Sequence, residues 1–148
     1  MSMHPRQTSS LIGVSNSRMI ARGFALRCPV CGGRGVVQRW FHIVDRCPTC
    51  DLRYLRVEGH VIGYIGLNTI LTFSITFVSL IVTAVIMAPD IETMPLVFAA
   101  VLPAALLPLL LFPSSRMMWT AIDLIMRPLD PGEIDPRFFT DEDAWRKR

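Results

Sequence analysis

The chain's only four cysteines stand in two pairs of identical spacing, Cys28-Pro29-Val30-Cys31-Gly32 and Cys47-Pro48-Thr49-Cys50-Asp51. Fifteen residues separate Cys31 from Cys47. Two CxxC turns at that separation match a four-cysteine zinc site. Each turn aims two thiolates at one point, and two turns complete the tetrahedron that Zn²⁺ prefers. Pro29 and Pro48 fix φ inside each turn and reduce the chain entropy lost on closure. Gly32 can take the positive φ that lets backbone N–H groups face sulfur. Asp51, which tolerates the left-handed region better than most residues, holds the matching place in the second turn. Four thiolates fill the coordination shell, so the expectation is one structural Zn²⁺ held by Cys28, Cys31, Cys47 and Cys50. Iron held by similar turns is the less favoured alternative, and a thiol redox switch would require the metal to be absent.

The element that must position these cysteines is small. Gly32-Gly33-Arg34-Gly35 reads as a turn, the segment from Val36 to Val44 as a β-branched and aromatic strand, and Leu52 to Val57 as a second strand. The expected unit is a β zinc ribbon over residues 27–58, which at about thirty residues cannot bury enough apolar surface to fold without its metal. Trp40, Phe41 and His42 could offer a stacking surface to single-stranded nucleic acid. The favoured reading makes them the ribbon's own small core and its contact with a membrane surface.

Two charge-free stretches follow, 61–88 and 93–115. At the α-helical rise they reach about 42 Å and about 34 Å, against a hydrocarbon core of about 30 Å. The expected fold class is therefore a membrane protein: a small cytoplasmic β zinc ribbon followed by a two-helix transmembrane hairpin, with helices over about 61–88 and 94–113. Nine arginines precede Val61, the loop Pro89-Asp90-Ile91-Glu92-Thr93 has no basic residue, and Arg116, Arg127, Arg137 and Arg146-Lys147-Arg148 follow the second stretch. The positive-inside rule then places both termini in the cytoplasm. A reducing compartment favours metal over disulfide for the cysteines. The net charge of +3 averages a basic first half, suited to an anionic leaflet, with a slightly acidic tail.

Within the first span Asn68, Thr72, Thr76, Ser79 and Thr83 recur every three or four residues and form a polar stripe on one face. Hydroxyls and an amide in hydrocarbon bond back to their own helix or across to a neighbour, so this stripe is expected to face protein. In the second span Pro103 and Pro108 remove the helical hydrogen bonds to the Ala99 and Ala104 carbonyls. Ala100 and Ala104 form a small-xxx-small pair that admits close helix approach. Neither span carries an acidic residue or a histidine in its charge-free stretch, which argues against an ion path. After Pro113 an interfacial amphipathic helix is expected over 114–128, with Arg116, Thr120, Asp123 and Arg127 on one face and Trp119 at headgroup level. Residues 129–148 read as a mobile polar tail, and residues 1–26 as a basic N-terminal segment in which Ser17 could cap a short helix.

The order CPxCG, a strand ending in Val44-Asp45-Arg46-Cys47-Pro48, then Tyr54, Glu58-Gly59 and a helical hairpin closing on Arg127-Pro128 resembles a known group. It is similar to the small bacterial inner-membrane proteins catalogued as "domain of unknown function 983", over about residues 22 to 130. The sequence departs from that group at Asp51, where Gly is usual, and at His60, where a Gly-Asp-Gly run is common. The resemblance implies a cytoplasmic zinc ribbon with two spans, and a genomic setting beside cytochrome oxidase and its assembly factors. No nucleophile–base pair, buried carboxylate pair or phosphate loop is present, so no enzyme is expected and no small-molecule substrate is evident. The expected function is a non-catalytic accessory or assembly subunit of a membrane complex in the respiratory chain, partnered by the lipid bilayer and a larger membrane protein. The alternative is a membrane-tethered binding module for a soluble protein or nucleic acid, with metal handling third.

Overall fold

The two charge-free stretches become two long helices, α3 (His60–Met87) and α4 (Thr93–Met126); the short helices α1 (Thr8–Ile12) and α2 (Asn16–Phe24) precede them. The computed structural model describes residues 7–39, 41–56, 59–130 and 132–140. Trp40, Val57, Glu58 and the basic triplet Arg146-Lys147-Arg148 lie outside the described residues. Both long helices contain an 18-residue window of mean hydropathy 2.4, of which only 6% and 0% is buried. Ile62, Phe73, Val85, Ile86 and Met94 are each 70% exposed or more. The core helix of a soluble protein would bury such a surface. These two are long and apolar enough to cross a membrane.

α4 does not end where its sequence suggests. A break at Pro113 was expected, followed by a separate interfacial helix over 114–128; instead one helix of 34 residues runs through Pro103, Pro108 and Pro113. A helix-interior proline costs about 3 kcal/mol. Packing offsets that cost, because Met117, Ala121 and Leu124 are fully buried in the turns beyond Pro113. α2 crosses here with Gly23 set against the Met117 carbonyl, where a Cβ would come within 2.7 Å of the oxygen. Trp119 is half-buried against Gly63 of α3.

The helix α2 starts earlier than expected. Ser15, in extended conformation, accepts from the Arg18 N–H and caps it, so Ser17 falls inside the first turn. The segment expected as one strand from Val36 to Val44 is a hairpin of two short antiparallel strands, β1 (Val37–Arg39) and β2 (His42–Ile43). In an uninterrupted strand Val36 and Ile43, seven positions apart, would point to opposite faces. The fold-back lets both enter one core, at 1% and 6% exposure. The second expected strand reduces to a single bridge between Arg46 and Arg53.

The tail is the largest departure. Leu129 and Ile134 are buried, the Asp135 N–H donates to the Cys50 carbonyl, and the Thr140 N–H donates to the Leu11 carbonyl. Residues 129–140 are therefore packed where a mobile segment was expected, Pro131 apart; residues 141–148 lie outside the described residues. One cluster of buried side chains joins Ile12, Met19, the knuckle cysteines, Leu52, Met117, Leu124, Leu129 and Ile134. The ribbon thus shares its core with α2, the end of α4 and the tail, which answers the shortage of apolar area in a unit of its size.

Candidate metal centre

The two CxxC turns have the same backbone. The Gly32 N–H donates to the Cys28 carbonyl and the Cys28 N–H to the Gly33 carbonyl. In the second turn the Asp51 N–H donates to the Cys47 carbonyl and the Cys47 N–H to the Leu52 carbonyl. The corner residues Gly32 and Asp51 both take positive φ, 75° and 60°. Glycine adopts that region freely, and aspartate is one of the few side-chain residues that visits it routinely. Arg46 bonds the Asp51 carboxylate at 2.7 Å, an exposed pair that contributes little to stability. The Gly33 N–H points at Cys31 Sγ, 3.3 Å away.

Each turn is also held from outside the ribbon. Arg22 of α2 donates to the Val30 carbonyl at 2.7 Å and to the Pro29 carbonyl at 3.3 Å. The tail amide at Asp135 grips the second turn through Cys50.

The four Sγ atoms lie within 4.8 Å of one another. Cys28 and Cys50, and likewise Cys31 and Cys47, are 3.6 Å apart. A disulfide needs about 2.05 Å, so these are free thiols. A tetrahedral ion with metal–sulfur bonds of about 2.3 Å has sulfur–sulfur edges of about 3.8 Å. Donor type, number and spacing therefore fit one tetrahedral metal ion, which would cross-link the two turns.

The electrostatics of the bare thiols agree with that fit. Hydrogen bonding to Cys47 and Cys50, reinforced by burial, pushes the Cys28 thiol far above its ordinary range. Burial raises Cys31 to about 11. The proton on Cys28 in turn holds Cys47 down at about 4 and lowers Cys50. Burial first, then the neighbouring sulfurs, pushes the Tyr54 phenol up. Four sulfurs this close cannot all be thiolates unless a cation neutralises them.

A second cluster ties the module to the long helices, and it was not legible as a site in the sequence. Arg56, with a side chain 8% exposed, bonds Glu133 through Nε at 3.0 Å and NH2 at 2.7 Å. Its NH1 reaches Asp123 Oδ2 at 3.3 Å and the Arg127 carbonyl at 3.0 Å. Arg116 of α4 donates to the Phe41 carbonyl and lies 5.3 Å over the Tyr64 ring. Phe41 in turn meets Phe112 edge to face, with centroids 5.3 Å apart. One signal was available for this junction: Asp123 sits among Ala121, Leu124 and Ile125, and a carboxylate in apolar company needs a partner.

Of the packing residues expected from sequence, Asn68, Thr72, Thr76 and Ala104 line one groove between α3 and α4. Thr72 is buried; Asn68, Thr76, Ser79, Thr83 and Ala100 are half-buried, and Ala104 is exposed. The Asn68 amide nitrogen donates to the Pro108 carbonyl at 3.0 Å. Comparison with known protein families, with curated proteins and with solved structures finds no match to this chain.

Proposed function

We propose that the chain is a non-catalytic accessory or assembly subunit of a bacterial membrane complex, with one structural Zn²⁺ on its four cysteines. In this reading α3 and α4 cross the inner membrane and both ends of the chain lie in the cytoplasm. The observation that carries it is how the cysteine cluster is seated. The knuckles, α2 and the tail share one core with the end of α4, while the apolar windows of both long helices are left almost wholly uncovered. Apolar surface of that extent requires lipid or another protein against it. The charge pattern supports the orientation: Arg46, Arg53, Arg56, Arg116 and Arg127 crowd the cysteine end, whereas the connection between the helices carries only Asp90 and Glu92.

A closed shell of four thiolates supports a structural ion over a catalytic one, and zinc over redox-active metals in a scaffold. The similarity to "domain of unknown function 983" supports a place in the respiratory chain, with the module contacting the cytoplasmic face of a cytochrome oxidase or of a factor that assembles it. The test is affinity purification from native membranes in mild detergent, with metal analysis and identification of co-purifying chains. A larger membrane complex and one zinc per chain are expected. Recovery of a clean monomer without metal would refute the proposal.

A further inference from the structure

Three hydroxyls on the long helices are quenched in the ordinary way. Thr69 donates to the Ile65 carbonyl, Ser115 to Leu111 and Thr120 to Arg116, each one turn back. Thr72 and Thr76 do not. Their Oγ1 atoms, and Asn68 Oδ1, are buried with no hydrogen-bond partner among the described residues. Thr72 is 9% exposed overall. Leaving such groups unmade is costly, so three on successive turns of one helix face call for an occupant.

A groove of about 240 Å³ runs along these turns, walled by Asn68, Thr72, Phe73 and Thr76 of α3 and by Ala104 and Pro108 of α4. Ala104 opposes the threonines with a methyl group only. Pro108 has no N–H and so gives the Ala104 carbonyl no helical hydrogen bond. The amide nitrogen of Asn68 is committed to Pro108, which leaves its oxygen as an acceptor. One amide oxygen and two hydroxyls thus surround a largely apolar space, whose edge is extended by Phe73 stacked on Phe77.

We infer that this groove is a binding site for a neutral, lipid-soluble molecule with a ring-sized apolar body and a hydroxyl or N–H donor. The chemistry excludes the other classes. An ammonium at this position would meet no carboxylate among the lining residues and would lose its hydration. A pure hydrocarbon would leave the Asn68 oxygen and the two hydroxyls without a partner. The size fits, since a cavity of about 150 Å³ holds benzene and this one is larger. The depth rests on the membrane-spanning reading above. Thr72 lies about 18 Å along α3 from His60, near the middle of a hydrocarbon layer of about 30 Å, where water does not compete for the acceptors. The planar ledge of Phe73 favours a flat molecule over the side chain of a neighbouring helix.

The test uses the full, metal-loaded chain in lipid nanodiscs, with 4-fluorophenol and its donor-less analogue 4-fluoroanisole followed by fluorine NMR. Saturable binding of the phenol above the partitioning seen in empty nanodiscs is expected, with the anisole weaker by roughly 3- to 10-fold. The near-isosteric Thr72→Val should weaken the phenol alone, and Ala104→Leu, which fills the groove, should remove both. Equal binding of phenol and anisole, or none above empty nanodiscs, overturns the inference. So does the finding that Ala104→Leu releases a co-purifying membrane protein while the native groove takes no phenol, which assigns the groove to a partner helix. A chain that does not enter nanodiscs sinks the membrane reading and this site together; one that enters but takes no phenol sinks only the site.

Discussion

Replacing Arg56 with methionine should detach the cysteine module from the long helices without removing a metal ligand. The guanidinium is 8% exposed and serves two carboxylates, Asp123 at 7% and Glu133 at 31% side-chain exposure. Removing one partner of a buried pair costs about 3–5 kcal/mol, because the other charge is left uncompensated. Here Asp123 bears most of that cost. Its remaining cation, Arg127, stands 4.0 Å away with a side chain 59% exposed, whereas Glu133 can turn toward water. Asp123→Leu alone should cost less, about 1–2 kcal/mol, since Arg56 keeps its two-pronged contact with Glu133. The double variant Arg56→Met/Asp123→Leu should recover much of the Arg56→Met loss, because no buried charge remains. Amide hydrogen exchange of the metal-loaded protein reads this directly at Asp135, whose N–H is bonded to Cys50. Exchange there should speed up by about two to four powers of ten in Arg56→Met and by markedly less in the double variant. An Arg56→Met protein that exchanges within threefold of the native one, or a double variant as fast as the two single losses combined, would show that Arg56 is not the tie.

Three further outcomes follow from the geometry. Gly23→Leu places side-chain atoms against the Met117 backbone, which cannot yield, and should unseat α2, seen as new protease cleavage near residues 13–27; Gly66→Ala, with nothing within 4 Å of the added carbon, should be neutral or slightly stabilising. Serine at Cys28 or Cys50 should abolish stoichiometric metal and expose the module to protease while far-UV circular dichroism of α3 and α4 persists; a collapse of helicity would contradict the separation of metal site from hairpin. In the metal-free site Cys28 and Cys31 are held protonated at neutral pH, while Cys47 is held as a thiolate and Cys50 is lowered from its ordinary value. Metal binding near pH 7 should therefore release at least two protons and tighten as pH rises, because the bound form carries fewer protons. Calorimetry in buffers of different ionisation enthalpy measures that number, and release of none would contradict it.

What could be read from sequence was local or carried by long uniform runs. The two CxxC turns were legible because four or five consecutive residues define each, down to the left-handed corner at Asp51. The two long helices were legible because an uninterrupted apolar run has few other solutions. The pairing of β1 with β2 was not, because β-branched residues on both sides of a fold-back look like one strand until a core demands that Val36 and Ile43 both be buried.

The sequence by itself determined that four thiolates would converge and that two helices would be uniformly apolar, since spacing and composition act over one turn or one run. Only the tertiary structure decided where α4 stops and whether the tail is ordered. Pro113 is a strong local stop signal, yet Met117, Ala121 and Leu124 share a core with α2 and the ribbon, far away in the chain, and with Leu129 and Ile134 just beyond the helix. Arg56 and Glu133 are 77 positions apart, and nothing in either neighbourhood names the other. The cysteines say that a metal can bind; the clamp from Arg56 to Asp123 and Glu133 holds that metal module against one end of the hairpin.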